Sequence, residues 1–319
     1  MIAHALLLGA LLTSVPGPVS DGRLQMGTVL ELTLGPPADP QLLDALFAYV
    51  HELDTMLTRF DVASDLSALN RAAGRGPHPV PRPLLELLEQ AQRYTRLTRG
   101  SFDVTVGPLI ELWSRAGIRG QTPSKDELER TLAIVGAEKI RIDPRAGTVE
   151  LPQPGMSVDL GGIAKGFALD RLVERLRSRG VRSALLSFGG SSLHALGAPE
   201  GKEGWRVLLR DASDGFAGVL TLRDRALSVS ESLGARFEIA GRRYGHILDP
   251  RTGRPLRTRR LAAVVAPSGA LAEALSKAVL ILDPPAALAL LESLESTEGM
   301  LLDPTGPTWQ TPGWPWPGR

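Results

Sequence analysis

The chain has 319 residues, 43% of them hydrophobic and 22% charged, which is ordinary for a globular protein and enough to bury a substantial core. The net charge of +1 has no block of like charge behind it, and the densest basic run, Arg257 to Arg260, is too short to argue for nucleic acid. Cysteine is absent, which excludes disulfides, thiolate chemistry and zinc held by sulfur.

Residues 1–20 hold an apolar run, Ala3 to Leu12, followed by Thr, Ser, Pro and Gly. The pattern reads as a secretory leader that lacks a positive n-region, so a periplasmic or exported protein is expected; the alternative is a cytoplasmic one with a local N-terminal helix or a misassigned start. No other stretch is long and apolar enough to span a bilayer. Met26 to Leu34 alternates and is rich in β-formers, which predicts a strand. Asp39 then caps a helix with Pro40 at its first position and Leu43, Leu46, Phe47, Val50, Leu53 and Leu57 as its apolar stripe. Arg59 to Pro83 reads as loop, and a second amphipathic helix follows from Pro83 to Leu97.

Ser101 to Leu109 is short and turn-bounded. Ser124 and Glu127 form a capping box for the next helix, and Ile140 to Leu151 reads as a hairpin. Strands are expected at Val181 to Phe188, Trp205 to Arg210, Val219 to Arg223, Arg236 to Ala240 and Leu261 to Ala266. Leu271 to Leu282 and Ala286 to Leu294 read as helices and Met300 to Leu302 as a strand. The tail from Pro304 is rich in Pro, Gly and Trp and reads as irregular. Strands cluster in the middle without strict alternation with helices, which favours an α+β fold over a doubly wound sheet.

The chemistry is densest at Val158 to Asp170, V-D-L-G-G-I-A-K-G-F-A-L-D. A carboxylate, Asp159, two adjacent glycines, Gly161 and Gly162, and Lys165 precede a helical pattern. Adjacent glycines allow close approach of backbone to a ligand, and a helix N-terminus favours an anionic group such as a phosphate. The plain alternative is a strand-to-helix turn with a solvated lysine. The glycine spacing fits neither G-x-G-x-x-G nor G-x-x-x-x-G-K-[ST], so no standard nucleotide fold follows from it.

Six motifs in order give the chain a family resemblance: M-G-T at Met26, S-x-L-N with A-G from Ser67 to Gly74, and G-S-F-D-V-T-V-G-P-L from Gly100 to Leu109. They continue with V-D-L-G-G-I-A-K-G from Val158, F-G-G at Phe188 to Gly190, and H-I-L-D-P-R-T-G from His246 to Gly253. Together they resemble the ApbE family, the FAD:protein FMN transferases, over residues 24–303, leaving 1–20 as leader and 304–319 as tail. The resemblance implies an α+β fold of two related, T-fold-like halves in one compact domain with a central flavin cleft. It implies that Met26, Ser101, Phe102, Asp103, Asp159, Gly161, Lys165, Gly189, Gly190, His246 and Ile247 line the flavin nucleotide site. The implied reaction moves FMN from FAD to a Thr or Ser hydroxyl of an acceptor protein and releases AMP. His246, Lys165 and Asp249 are then the catalytic candidates.

His246 suits the proton of the acceptor hydroxyl because its ordinary pKa lies near neutrality, with Asp249 as a second-choice partner. Local alternatives stand beside these roles: His246 fixing its own turn, Asp103 making an Asx-type turn bond, and Asp249 to Gly253 acting as turn first and ligand contact second.

The family's magnesium ion maps to the carbonyl of Gly162 and to an Asp and a Thr one turn apart near the C-terminus, where this chain has Glu273 and Lys277. An ammonium cannot coordinate a metal, so a weakened or substituted metal site is expected. Two further departures are Val229-Ser230-Glu231 in place of T-S-G and Ser191 where an acid often follows the glycine pair. An FAD-binding protein without transfer, or an FAD pyrophosphatase using water, is the alternative activity.

Overall fold

The computed structural model describes residues 17–315 apart from 37–38, 211–214, 233–234 and 305. Most of the segment read as a leader therefore lies outside the described residues, and its last two positions open the first strand. Among the described residues, an eight-stranded sheet runs in chain order. Its strands are β1 (Val19–Gln25), β2 (Thr28–Leu34), β3 (Ala184–Phe188), β4 (Ser192–Leu196), β5 (Arg225–Glu231), β6 (Leu261–Ala266), β7 (Glu298–Leu302) and β8 (Thr308–Gln310). Every neighbouring pair is antiparallel.

The helices are α1 (Pro40–Leu57), α2 (Asp65–Arg71), α3 (Arg82–Leu97), α4 (Gly107–Arg119), α5 (Lys125–Leu132), α6 (Ala164–Ser178), α7 (Gly269–Ile281) and α8 (Pro284–Glu292). Leu30, Leu32 and Leu34 of β2 point into one core with the inner faces of α1, α3 and α6. The strand β6 is buried on both faces, which is why it reads as an unbroken apolar run. Ala262, Val264 and Ala266 face α7 and α8, whereas Leu261, Ala263 and Val265 face a core closed by the Trp205–Arg210 and Phe216–Leu222 ribbon and by Trp314.

The caps expected from sequence form where read. Asp39 accepts from the Gln41 amide with Pro40 opening α1, and Ser124 and Glu127 complete a reciprocal capping box on α5. The structure departs from the sequence reading in five places. The strand expected from Met26 begins at Thr28, after a turn at Met26 and Gly27 that joins it to β1, a strand the sequence reading did not expect. Residues read as loop between Arg59 and Pro83 contain α2, capped by Ser64. The segment from Gly107 continues as the long helix α4, with Pro108 in its first turn. The strands β4 and β5 were not expected; their serines sit among apolar residues and blur the alternation. The tail from Pro304 contributes β8, which pairs with β7, and buries Trp314.

Candidate active site

The junction of α6 and α7 fixes the centre of the molecule. A Cβ on Gly166 would meet the Gly269 carbonyl carbon at 2.3 Å, so only glycine lets the two helix starts touch backbone to backbone. Neither helix has an acid in its first turn, and each borrows one from the other. The Gly166 amide donates to Glu273 Oε2 of α7 at 3.0 Å. The Gly269 and Ala270 amides donate to the Asp170 carboxylate of α6 at 2.6 and 3.0 Å. These carboxylates satisfy donors that a helix start leaves unpaired and sit where its dipole favours negative charge.

Beside this junction lies a cavity of about 350 Å³. Eleven residues singled out in the sequence line it: Ser101, Phe102, Asp103, Asp159, Gly161, Gly162, Lys165, His246, Ile247, Glu273 and Lys277. An adjoining groove shares Asp159, Gly161 and Lys165 and is lined by Met26. Met26 adopts φ 49° in the β1–β2 turn, with its amide donating to Asp54 Oδ2 at 2.8 Å. The cavity wall also holds Ser191 and Glu231, the two departures noted above.

Most acidic groups at this cavity already have protein partners. Asp103 Oδ1 accepts from the Thr105 amide and hydroxyl at 2.7 and 2.6 Å, and Oδ2 accepts from the Ala137 amide at 2.8 Å. Burial pushes its carboxyl above the usual range, against the lowering effect of these bonds. Asp159 Oδ1 accepts from the Gly161 amide at 2.8 Å, and Oδ2 pairs with Arg59 at 2.6 Å. The Gly161 amide is therefore occupied, which leaves Gly162 as the glycine of the pair whose amide is not held by Asp159. Glu273, 1% exposed, uses Oε2 for Gly166 and Oε1 for the Ser192 hydroxyl at 2.6 Å. The Ser101 hydroxyl is buried and has no hydrogen-bond partner among the described residues.

Three of the expected residues, Asp249, Gly189 and Gly190, are not among those that line this cavity. Asp249 is given to its own turn: its carboxylate accepts from Arg251 Nε and a terminal guanidinium nitrogen at 3.0 Å each, and from the Arg251 amide. Gly189 and Gly190 make the β3–β4 turn, both at positive φ, with Gly189 packed against Thr28; Ser191 and Ser192 just after them reach the cavity instead.

Residues 26–301 match the ApbE family. The chain belongs to that family. An FAD:protein FMN transferase of Klebsiella pneumoniae is 35% identical over 219 residues, covering 68% of each chain. One from Treponema pallidum is 32% identical over 281 residues, covering 82% of this chain and 77% of that one. The solved ApbE protein of Thermotoga maritima superposes with TM-score 0.83 at 25% identity over 93% of this chain and 97% of its own. The Pseudomonas stutzeri flavinyl transferase ApbE, in its apo form, gives TM-score 0.82 at 26% identity over 94% and 96%.

Sequence reading of this ApbE chain missed the groups that hold the site in shape. Arg59 and Asp54 fix Asp159 and Met26 across large sequence distances. Asn70 of the S-x-L-N motif grips Val158 in both directions, Nδ2 donating to its carbonyl at 2.9 Å and Oδ1 accepting its amide at 2.7 Å. The motif carried that signal, because an Asn inside a helix has spare donors and acceptors that ask for a partner.

Proposed function

We propose that this chain is an FAD:protein FMN transferase that moves FMN from FAD to a Thr or Ser hydroxyl of an acceptor protein and releases AMP. The observation that carries the reading is the convergence of Lys165, on the first turn of α6, and His246, between β5 and β6, on one cavity. Its size suits part of a dinucleotide, with the adjoining groove extending it past Asp159 and Lys165. Names borne by relatives support the same reaction.

The acceptor oxygen attacks the flavin-side phosphorus, an ester bond forms there, and the P–O–P bridge breaks to leave AMP. The acceptor proton passes to His246, which is exposed at the cavity wall and so open to an incoming protein segment. Lys165 places positive charge beside the diphosphate as negative charge shifts onto the departing phosphate. Phe102, Val106, Ile110 and Ile247 give the wall an apolar stretch suited to a flavin ring.

The family resemblance also implies magnesium, and the donors of this chain do not fit it. Both oxygens of Glu273 serve protein donors, and Lys277 offers an ammonium with no lone pair. Among the described residues no group of three His, Asp or Glu side chains could hold an ion. The acceptor is proposed to be an exported or membrane-associated protein, on the strength of the apolar Ala3 to Leu12 run. Mass spectrometry of the mature chain from cells tests that placement; an intact N-terminus on a cytoplasmic protein would refute it.

Incubation with FAD and a Thr-containing acceptor peptide tests the activity. Covalent flavin fluorescence on the peptide, with AMP released, is expected. Free FMN and AMP without labelled peptide would make the chain a pyrophosphatase, and intact bound FAD would make it a binder.

A further inference from the structure

Lys165 and Lys277 come from two different helices and line the same cavity. Lys165 adjoins Gly166 at the α6–α7 contact, and Lys277 lies one turn beyond Glu273, which accepts from the Gly166 amide. Lys277 also lies against the glycine turn: a Cβ on Gly162 would sit 3.9 Å from Lys277 Cε. Among the described residues neither ammonium makes a hydrogen bond or an ion pair with the protein.

The neighbouring carboxylates do not neutralise them by contact. Glu273 is held by Gly166 and Ser192, Asp159 by Arg59, and Asp103 by Thr105 and Ala137. Glu231 borders the same cavity from the end of β5. Burial holds Lys277 below the ordinary lysine range; Glu273 opposes that and Lys165 adds to it. Two ammonium groups that share one cavity and make no direct ion pair are costly unless a ligand of two or more negative charges completes them.

We infer that Lys165 and Lys277 form a built-in dicationic cradle for a diphosphate, so that the dinucleotide binds without a divalent metal. Lys277 supplies from the chain itself the charge that a metal ion would bring. The inference rests on the flavin reading for the identity of the ligand, though the cradle itself requires only a diphosphate.

The test is titration of FAD into the full chain by flavin fluorescence, in EDTA and then in excess magnesium, with riboflavin as the phosphate-free control. FAD affinity is expected to agree within about twofold in the two buffers, and Lys277→Met is expected to weaken FAD at least about tenfold while leaving riboflavin within about twofold. Binding of FAD that vanishes in EDTA and returns with magnesium would overturn the cradle, and that measurement uses the parent chain alone. Equal loss of FAD and riboflavin in Lys277→Met, or no loss of either, would also overturn it.

Inorganic pyrophosphate, read by thermal shift in EDTA, separates the two claims. If FAD fails to bind but pyrophosphate stabilises the chain and Lys277→Met abolishes the shift, the cradle stands and the flavin reading falls. If pyrophosphate gives no shift and FAD does not bind, both fall.

Discussion

On one wall of the cavity α6 and α7 meet backbone to backbone at Gly166 and Gly269, with Glu273 and Asp170 exchanged between them. A second stretch of the lining runs from Ser101 to Ile110 and is joined by the His246 turn. There Asp103 ties Thr105 to Ala137, and the Trp113 indole donates to the Gly253 carbonyl at 2.7 Å. Both walls spend their buried acids on internal braces. They differ in what they leave for a ligand: the helical wall presents two ammoniums, and the other presents Phe102, Ile110, Ile247 and an exposed imidazole.

On the helical wall, Gly166→Ala is the strongest way to break the packing. The added methyl meets Gly269 backbone at 2.3 Å, and backbone cannot rotate aside. We expect a loss of about 3 kcal/mol or more, at the upper end of overpacking costs, and little soluble protein. Urea unfolding measures it; a midpoint equal to that of the parent chain would show that the helices have room to separate.

Glu273→Ala comes next. It orphans the Gly166 amide and the Ser192 hydroxyl, both buried, at a cost of about 1–3 kcal/mol for each unsatisfied donor. If Glu273 were a ligand group and not a brace, the same change would spare stability and alter only binding. Chemical denaturation beside an FAD titration separates the two roles.

On the other wall the expected signal is a pH dependence. Burial raises Asp103 above its ordinary value of 3.8. A raised folded value means that its contribution to stability is fully present below pH 3.8 and is lost as pH rises through the folded value. The unfolding free energy of the parent minus that of Asp103→Asn should therefore fall across that window and stay level above it. A difference that is flat with pH would mean that Asp103 titrates alike in both states, so that burial and its hydrogen bonds cancel.

These braces explain what could be read from the chain alone. The motif loops were legible because glycine, proline and capping residues act over a few positions: the Val158 to Gly166 junction, the Ser124 capping box and the His246 to Gly253 turn all lie where local chemistry put them. The Asx-type turn bond of Asp103 was legible, and the Thr105 amide makes it two residues on. The other partners of Asp103 and Asp159, and the role of Glu273, were not, because they are set by distant chain: Ala137, Arg59, and Gly166 across 107 positions. The strand β5 was hidden for a related reason. Ser228 and Ser230 face α7 and share hydrogen bonds with Ser276 at 3.0 and 2.9 Å, so its inner face is polar in sequence yet buried. The edge strand β8 has three residues, and only its pairing with β7 makes it a strand.

The smallest effect is expected farthest from the ligand. Helix α5 stands behind the His246 wall: a Cβ on Gly253 would sit 3.3 Å from a Leu128 methyl and 3.4 Å from one of Leu132, so this helix backs the turn without touching the cavity. Ser124→Ala removes the hydroxyl that accepts from the Glu127 amide. A lost N-cap costs about 1 kcal/mol. FAD affinity should hold within about twofold, because the turn is also fixed by Asp249 and Trp113. A larger drop in affinity than in stability would mean that the second wall is held by α5 and is softer than its hydrogen bonds suggest. The contrast between a rigid cationic wall and an equally rigid apolar one would then give way to a fixed wall facing an adjustable one.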